Sequence, residues 1–545
     1  EQDQVIRVAM PEPFVALHWG LYLFVPSRTA LSELTRLRGD YHPMDEVLEA
    51  SGKTVIDRLE MLDDAMQGKE WKRLLEDFGA KDPAERNISP DMWAAIRWYR
   101  GGAIKIEGGT PLVHDWNNEP DRKRQPIILT ASYRHVMRTL ADWRYFTTEE
   151  QLRRIETNSG PIYVTQQPDN RYRAIVPARP YHYRKDAEAT NAILMAYDEE
   201  GGYTAGYAAG RAVLDRAQAA VGALSHYRIE LRRQYLLPAL GELCQAWYGL
   251  PDGIHMHGGG WLWEPPAKRT PPGPRCPGDF LSPSRNAFYP RPSDTVAFFA
   301  DAHGKAVLDA ARAFVKAHRP TKGCGTGTIA AEMFNAIPTD DELLARNLIG
   351  TMIGAIPPMD GNLRGVLLEW LTERTLWRHQ AALRRAFGDG RADSEFTLAR
   401  DVLFRPISQA MCKRPAPDLL YRTVTNPDSH PVFFKARDKE GENRIAANER
   451  DLVVVSLVSA SQESLRPKRG ADGTLKTPDG DVSIVFGGRR RGPYDPQIRN
   501  INNPVHACPA REMALGAIMG IMAALLDAGR IQALPASLIV RVSDW

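Results

Sequence analysis

Cysteine is scarce in this chain of 545 residues. Its five cysteines are Cys244, Cys276, Cys324, Cys412 and Cys508. They are odd in number, far apart, and never form a C-x-x-C pair, which argues against a disulfide framework and against a zinc cluster. This usage is typical of a protein from a reducing compartment, so we predict a cytoplasmic location.

An excess of charge of one sign is also missing. The chain has 70 Lys and Arg against 67 Asp and Glu, a net charge of +3, which does not favour nucleic acid as a partner. The apolar stretch at residues 13–26 is interrupted by His18 and Gly20, and it is shorter than the ~20 residues that cross a bilayer. We therefore predict no transmembrane segment there and expect a buried segment, with peripheral membrane contact as the alternative.

The patterns that are present predict a fold that is mainly α with small β-sheets. Residues 127–129 form an apolar run, and Ser132 precedes apolar residues at helical spacing, so a strand should lead into a capped helix. The segment DLVVVSLVSAS, residues 451–461, is predicted as a strand, and residues 472–488 resemble a hairpin. The chain begins at Glu1 without methionine, which is consistent with a natural chain that starts further upstream.

A long helical pattern carries two adjacent prolines at its centre. It begins with a capping box at residues 339–342, and Pro357 and Pro358 follow the small residues Gly354 and Ala355. Proline cannot donate the helical hydrogen bond, so the pattern predicts a kink or a break. Such a break leaves room for a flat ligand beside small residues; the alternative is two helices joined at a proline corner.

Cys508 lies directly before the final helical pattern, with His506 two residues earlier. Pro509 suits the first position of a helix, whose unpaired amides would then point towards the sulfur and lower the pKa of the thiol. Three interpretations remain open from these residues alone: an inert buried cysteine, a Cys-His nucleophile, and an axial ligand to haem iron.

The order of these features resembles a cytochrome P450. A strand-helix unit near residue 130, a long interrupted helix, a basic RPAP segment, a VVVSLVSAS strand and a His-x-Cys loop before a terminal helix follow one another. The resemblance covers residues 126–545 as a haem domain and leaves residues 1–125 as an N-terminal extension or cap. It implies a P450-like fold, haem b as cofactor and a hydrophobic substrate.

The resemblance assigns residues to the haem one by one. In the family loop F-x-x-G-x-[HR]-x-C-x-G the cysteine is the metal ligand; here His506 and Cys508 match, whereas Ile501, Pro504 and Ala510 replace the Phe and the two Gly. By the same resemblance Cys508 would bind iron. The remaining candidate haem contacts are Arg422 and His506 for the two propionates and, more weakly, Tyr207 and Arg211 in YTAGYAAGR.

Two departures from the family point to the reaction. Gln409 and Cys412 stand where an E-x-x-R pair is expected, so the core must be braced in another way. The acid-alcohol pair that relays protons to iron-bound oxygen falls on Pro357 and Pro358, and Asp360 comes a turn too late. We list Gly354, Ala355, Pro357 and Pro358 as candidate catalytic positions for this reason.

Without a proton relay, the resemblance implies an enzyme that uses peroxide or a fatty-acyl hydroperoxide, since that O–O bond is already reduced. A peroxide-generating protein would then be a natural partner. One alternative is a monooxygenase that depends on O₂ and NAD(P)H and is supplied with electrons by a separate ferredoxin or reductase. The other alternative is a non-catalytic haem- or lipid-binding protein.

Overall fold

A computed structural model gives the architecture of most of the chain. It describes residues 5–9, 93, 96–97, 101–106, 126–158, 189–221, 226–249, 280–288, 294–319, 327–388, 393–425, 431–438, 441–465, 468–469, 475–476, 479–490, 504 and 506–533. Everything said below about structure concerns these residues. The predicted apolar segment at 13–26 lies outside them.

Helices dominate the described residues, as the sequence predicts. They are α1 Tyr133–Ala141, α2 Glu149–Asn158, α3 Ala189–Met195, α4 Glu199–Val221, α5 Leu237–Tyr248, α6 Leu281–Phe288, α7 Asp294–His318, α8 Ile329–Ala336, α9 Asp341–Thr372, α10 Leu376–Gly388, α11 Glu395–Lys413, α12 Leu457–Ser464 and α13 Arg511–Asp527. A π-helical turn, Leu231–Leu236, precedes α5, and a 3₁₀ helix covers Val482–Phe486.

The strands form small sheets. They are β1 Val5–Ala9, β2 Ala103–Ile106, β3 Ile127–Thr130, β4 Phe146–Thr147, β5 His226–Glu230, β6 Leu419–Val424, β7 Val432–Asp438, β8 Gly441–Ala447, β9 Leu452–Ser456, β10 Lys468–Arg469, β11 Leu475–Lys476 and β12 Arg530–Ala533. The largest described sheet has the order β2-β3-β9-β6-β4, and a parallel three-stranded sheet has the order β12-β1-β5. The prediction of a mainly α fold with small β-sheets is therefore confirmed.

The strand-helix unit at residue 127 forms as predicted. All four residues of β3 are buried, and β3 pairs in parallel with β9, whose five residues are also buried. Ser132 caps α1 by accepting a hydrogen bond from the backbone N–H of His135. The segment predicted as one strand at 451–461 divides instead, because Ser456 caps a helix that begins at Leu457.

The terminal helix α13 lies in the core and packs on α4. Glycines on both helices make this close approach possible, because a Cβ atom at Gly516 would collide with the carbonyl oxygen of Glu199 and one at Gly520 with that of Tyr203. A side chain at either position would force the two helices apart. The helix begins at Arg511 and not at Pro509, since Ala510 occupies the N-cap position.

The long helix α9 is continuous over 32 residues, so the predicted break at the two prolines is wrong, whereas the kink stays a prediction. Its N-cap is Asp340, which accepts from the N–H of Leu343, and not Thr339 of the predicted capping box. Pro357 and Pro358 remove two backbone donors, but the helix on either side of them lies in the main hydrophobic core. Burial of that apolar face outweighs the loss of two hydrogen bonds.

The predicted hairpin at 472–488 is also wrong in its bounds. The antiparallel pair is formed by β10 and β11, and the later part of that segment is the 3₁₀ helix Val482–Phe486.

The division of the chain at residue 125 stays a proposal. Two strands from before it, β1 and β2, pair with strands from after it, namely β5, β12 and β3.

Among the described residues, no helix combines the length and the apolar character that crossing a bilayer requires.

Candidate functional site

A large pocket lies between α9 and the loop that carries Cys508. It encloses about 1290 Å³ of space outside the protein atoms, part of it open to solvent. Most of the described residues around it are apolar. The residues with polar or charged side chains are Asn191, Tyr248, Thr351, Asn362, Arg422, Arg490 and His506.

The Cys508 loop is held by a segment that lies far from it in sequence. The N–H of Cys508 donates to the carbonyl oxygen of Phe486 at 2.9 Å, and the N–H of Ala507 donates to that of Pro504 at 3.1 Å. Gly488 has a φ of 116°, and a Cβ atom there would lie 2.5 Å from the ring of Pro504. Residues 486–488 thus form the support on which the loop rests.

This support was missed in the sequence, because the family pattern was matched to consecutive residues. It placed Ile501, which lies outside the described residues, at the Phe position. The structure instead brings Phe486 and Gly487 to the side of Cys508, and both line the pocket. The spelling Phe486-Gly487-Gly488 was the available signal, but a long intervening segment separates it from the His-x-Cys motif.

Cys508 differs from the other described cysteines in its exposure. Cys244 and Cys412 are fully buried, and burial raises the pKa of each thiol to about 12. Cys508 is partly exposed as a residue and lines the pocket. Among the described cysteines, Cys508 alone therefore suits a role at the pocket.

The prediction that the pKa of Cys508 is lowered is wrong for the protein without a ligand. Desolvation by the surrounding protein raises this pKa to about 11. The backbone N–H of Ala510 and the charges of Arg511 and Arg490 act in the opposite direction. Because α13 begins only at Arg511, its first turn is further from the sulfur than expected, and burial outweighs its effect. The neighbouring groups nevertheless favour a negative charge on the sulfur.

Arg422 is a buried cation at the same pocket. It is 4% exposed, its Nη1 donates to the carbonyl oxygen of Tyr421 at 2.8 Å and to Oε1 of Gln151 at 3.3 Å, and its Nε has no hydrogen-bond partner. None of the described ion pairs supplies it with a carboxylate, and burial lowers its pKa to about 10. An anionic ligand group would satisfy it.

Arg490 and His506 also line the pocket, so three side chains with cationic or donor character surround it. No Asp or Glu is among its described lining residues. The pocket therefore favours an anionic ligand. Arg490 was not predicted from the sequence, where it reads as one member of a basic run.

The wall opposite Cys508 is the middle of α9. Gly354, Ala355 and Pro358 line the pocket, and no protein atom lies within 4 Å of the place where a Cβ atom of Gly354 would stand. Pro357 is not among the lining residues. Thr351 contributes a hydroxyl, which donates to the carbonyl oxygen of Leu348 at 2.7 Å. The expected space beside small residues is present, although the helix is not broken.

Asp360 lies outside the pocket lining and is fully buried. Its Oδ2 is 3.0 Å from Nη2 of Arg364 and 3.8 Å from Nη2 of Arg232, both of which are also buried. Held between two arginines, this carboxylate is not positioned to supply protons to a ligand in the pocket.

A buried ion cluster links α9 to the end of α11. Glu369 of α9 accepts from Arg414 Nε at 2.8 Å and from Lys413 Nζ at 2.7 Å. Two residues after Arg414, the backbone of Ala416 makes two hydrogen bonds with the side chain of Asn362. Its carbonyl oxygen accepts from Nδ2 of Asn362, and its N–H donates to Oδ1. The described residues thus include a buried acid-base cluster close to the place where the E-x-x-R pair was expected, although its acid lies on α9 and not on α11.

Two predicted haem contacts lie elsewhere. Tyr207 donates to Asp527 Oδ2 at 2.7 Å, and Arg211 pairs with Asp215 one turn along α4 at 3.1 Å. Neither residue lines the pocket. Of the residues predicted to contact haem, the pocket brings together Cys508, His506 and Arg422.

The residues at the pocket fit a haem. The thiol of Cys508 could bind iron, the buried and incompletely paired Arg422 could hold a propionate, and the open space at Gly354 leaves room for a flat ring. His506 and Arg490 are placed to contact a second anionic group.

No family model matches the sequence, and no curated protein matches it. Among solved structures, the haem domain of cytochrome P450DA is similar at 13% identity and a TM-score of 0.49, over 82% of this chain and 86% of that one. CalO2 is similar at 14% identity and 0.46, over 75% and 85%. P450BioI, solved with an acyl carrier protein ligated to hexadec-9Z-enoic acid, is similar at 12% and 0.46, over 74% and 86%. Because these TM-scores lie below 0.5, the likeness by itself assigns neither a cofactor nor a reaction to this chain.

Proposed function

We propose that this protein is a haem-thiolate oxidoreductase acting on a hydrophobic, fatty-acyl substrate, with Cys508 as the residue that would bind the iron of haem b. The observation that carries the proposal is the convergence of Cys508 and Arg422 on one pocket whose described lining contains no carboxylate. Arg422, Arg490 and His506 would neutralise the two propionates.

The environment of Cys508 suits a ligand that loses its proton on binding metal. In the free protein the thiol holds its proton, because burial raises its pKa to about 11. Cys508 would bind iron as the thiolate, so its sulfur would have to give up this proton. The N–H of Ala510 and the positive charges of Arg490 and Arg511 then stabilise the remaining negative charge.

The apolar part of the pocket suits a long hydrocarbon chain. Leu194, Trp247, Phe288, Met359 and Leu420 all contribute to its wall. When bound, a haem with a thiolate ligand supplies the cleavage or rearrangement of an O–O bond, and the protein supplies the orientation of the chain beside it.

The wall of α9 favours peroxide or a fatty-acyl hydroperoxide as oxidant. Pro358 faces the pocket at the position that the resemblance gives to the alcohol, and proline has no group that can donate a proton. The nearest acid along the helix, Asp360, is committed to two arginines. A substrate whose O–O bond is already reduced does not require the missing relay.

A monooxygenase that depends on O₂ is the second candidate, with a separate ferredoxin or reductase as electron donor. The hydroxyl groups of Thr351 and Tyr248 favour it, because both residues line the pocket and a hydroxyl can pass a proton.

One assay separates the two candidates. Purified protein loaded with haem is given either a fatty-acid hydroperoxide or the parent fatty acid with NAD(P)H, a reductase and O₂. We expect consumption of the hydroperoxide at least tenfold faster than NAD(P)H-driven product formation, and loss of this activity in Cys508→Ala. Turnover only with NAD(P)H and O₂ would favour the monooxygenase, and no turnover in either assay would favour a non-catalytic carrier.

A further inference from the structure

One side chain at the pocket has no evident structural role. Asn191 of α3 is 5% exposed and lines the pocket, yet its carboxamide makes no hydrogen bond with any described residue. Its polar atoms are not among the buried ones that are sealed off from solvent. The carboxamide therefore meets the space of the pocket, where a ligand can reach both its donor and its acceptor.

The other carboxamide of the described lining, that of Asn362, and the hydroxyl of Thr351 already make hydrogen bonds. Asn362 donates to the carbonyl oxygens of Pro358 and Ala416 and accepts from the N–H of Ala416. Thr351 donates to the carbonyl oxygen of Leu348. Asn191 is thus the carboxamide of the described lining whose donor and acceptor are both available.

The helix that carries Asn191 is fixed in place. The preceding residue, Thr190, is fully buried and accepts a hydrogen bond from Nδ2 of Asn347 on α9 at 2.9 Å. Leu194, one turn further along α3, packs in the main core and also lines the pocket. The carboxamide is therefore held by a rigid element, as a specific binding group must be.

We infer that Asn191 binds a neutral oxygen-bearing group, hydroxyl or hydroperoxyl, on an otherwise apolar chain, and so selects an oxygenated substrate over the plain fatty acid. A carboxamide offers one NH₂ donor and one carbonyl acceptor side by side, and an O–H group needs one of each. A carboxylate would bind instead at the arginines. This inference rests on the proposed function, because it names the substrate class of the same pocket.

The test uses stable ligands and measures binding, so it does not depend on turnover. Full-length protein loaded with haem is titrated calorimetrically with long-chain hydroxy fatty acids that carry the hydroxyl at different mid-chain carbons, each against the unsubstituted acid. We expect the best hydroxy acid to bind wild type roughly tenfold more tightly than the plain acid, as one or two hydrogen bonds allow. Asn191→Leu should bind both equally, with the affinity for the plain acid unchanged.

Two further variants serve as controls for the role of the carboxamide. Asn191→Asp preserves the shape but loses the NH₂ donor and adds a charge, and it should bind both acids more weakly than wild type. Leu194→Val, an apolar change on the same helix, should weaken both ligands alike and leave their ratio intact. A tenfold preference that survives in Asn191→Leu, or no preference in wild type for any isomer, would overturn the inference. Neither result would affect haem binding through Cys508, which the same samples report by their absorption spectra.

Discussion

Replacing Arg422 with methionine tests whether this buried cation binds a propionate of the haem. A charged hydrogen bond contributes about 1.5–3 kcal/mol, so losing it should weaken haem binding by roughly 10- to 150-fold. Without haem the effect on stability should be small or reversed, because burial lowers the pKa of Arg422 to about 10, a desolvation cost on the order of 3 kcal/mol that methionine does not carry.

The assay has two parts. Haem affinity is measured by absorption titration of the haem-free protein, and the free energy of unfolding is measured by urea denaturation with and without haem. Arg211→Met is the matched control, since that arginine pairs with Asp215 at the surface of α4. We expect it to leave haem affinity unchanged. Equal haem affinity in Arg422→Met and wild type would refute the assignment of Arg422 to a propionate.

Three other sets of substitutions test further features of the structure. Glu369→Gln leaves Arg414 buried without its acid and should cost about 3–5 kcal/mol in the free energy of unfolding, measured by urea denaturation at neutral pH. Installing the acid-alcohol pair with Pro357→Asp and Pro358→Thr should raise product formation from NAD(P)H and O₂ relative to hydroperoxide consumption, measured side by side. Gly516→Ala should lower the melting temperature sharply, because its Cβ atom would collide with the backbone of α4.

The pH dependence of the Glu369 effect has a definite sign. Burial acts to raise the pKa of this carboxyl, but the charges of Arg414 and Lys413 outweigh it and lower the pKa below its usual value. A carboxyl with a lowered pKa stabilises the fold above the pKa of the unfolded chain, and this contribution is lost as the pH falls through the folded value. Wild type should therefore lose stability in acid more steeply than Glu369→Gln; equal slopes would contradict the ion pair.

The other two changes have controls within the chain. Gly388→Ala, at the end of α10, places its Cβ atom in open space and should not lower the melting temperature. For the proline pair, the single change Pro357→Asp should not raise NAD(P)H-driven turnover, because Pro357 does not line the pocket. An increase equal to that of the double change would argue against the alcohol position at Pro358.

Local patterns in the sequence were enough to predict the elements that carry the site. Ser132 marks the start of α1, and the small residues Gly354 and Ala355 mark the face of α9 that lines the pocket. The predicted break at Pro357 failed because helix packing over many buried residues exceeds the loss of two backbone hydrogen bonds.

What could not be predicted depends on contacts between residues far apart in the chain. Phe486 supports Cys508 across a long intervening segment, and the acid that pairs with Lys413 and Arg414 is Glu369, which is far from them in sequence. The pKa of Cys508 was expected in the wrong direction for the same reason, since burial by distant residues decides it and the adjacent helix does not.

The most direct test of the central claim is the absorption spectrum of the dithionite-reduced protein with carbon monoxide, recorded for wild type and for Cys508→Ala. A strongly red-shifted Soret band in wild type that disappears in the variant is the predicted result, because only a thiolate ligand from Cys508 would produce it. Failure of wild type to bind haem, or the same red-shifted band in the variant, would contradict Cys508 as the axial ligand and with it the proposed haem-thiolate function.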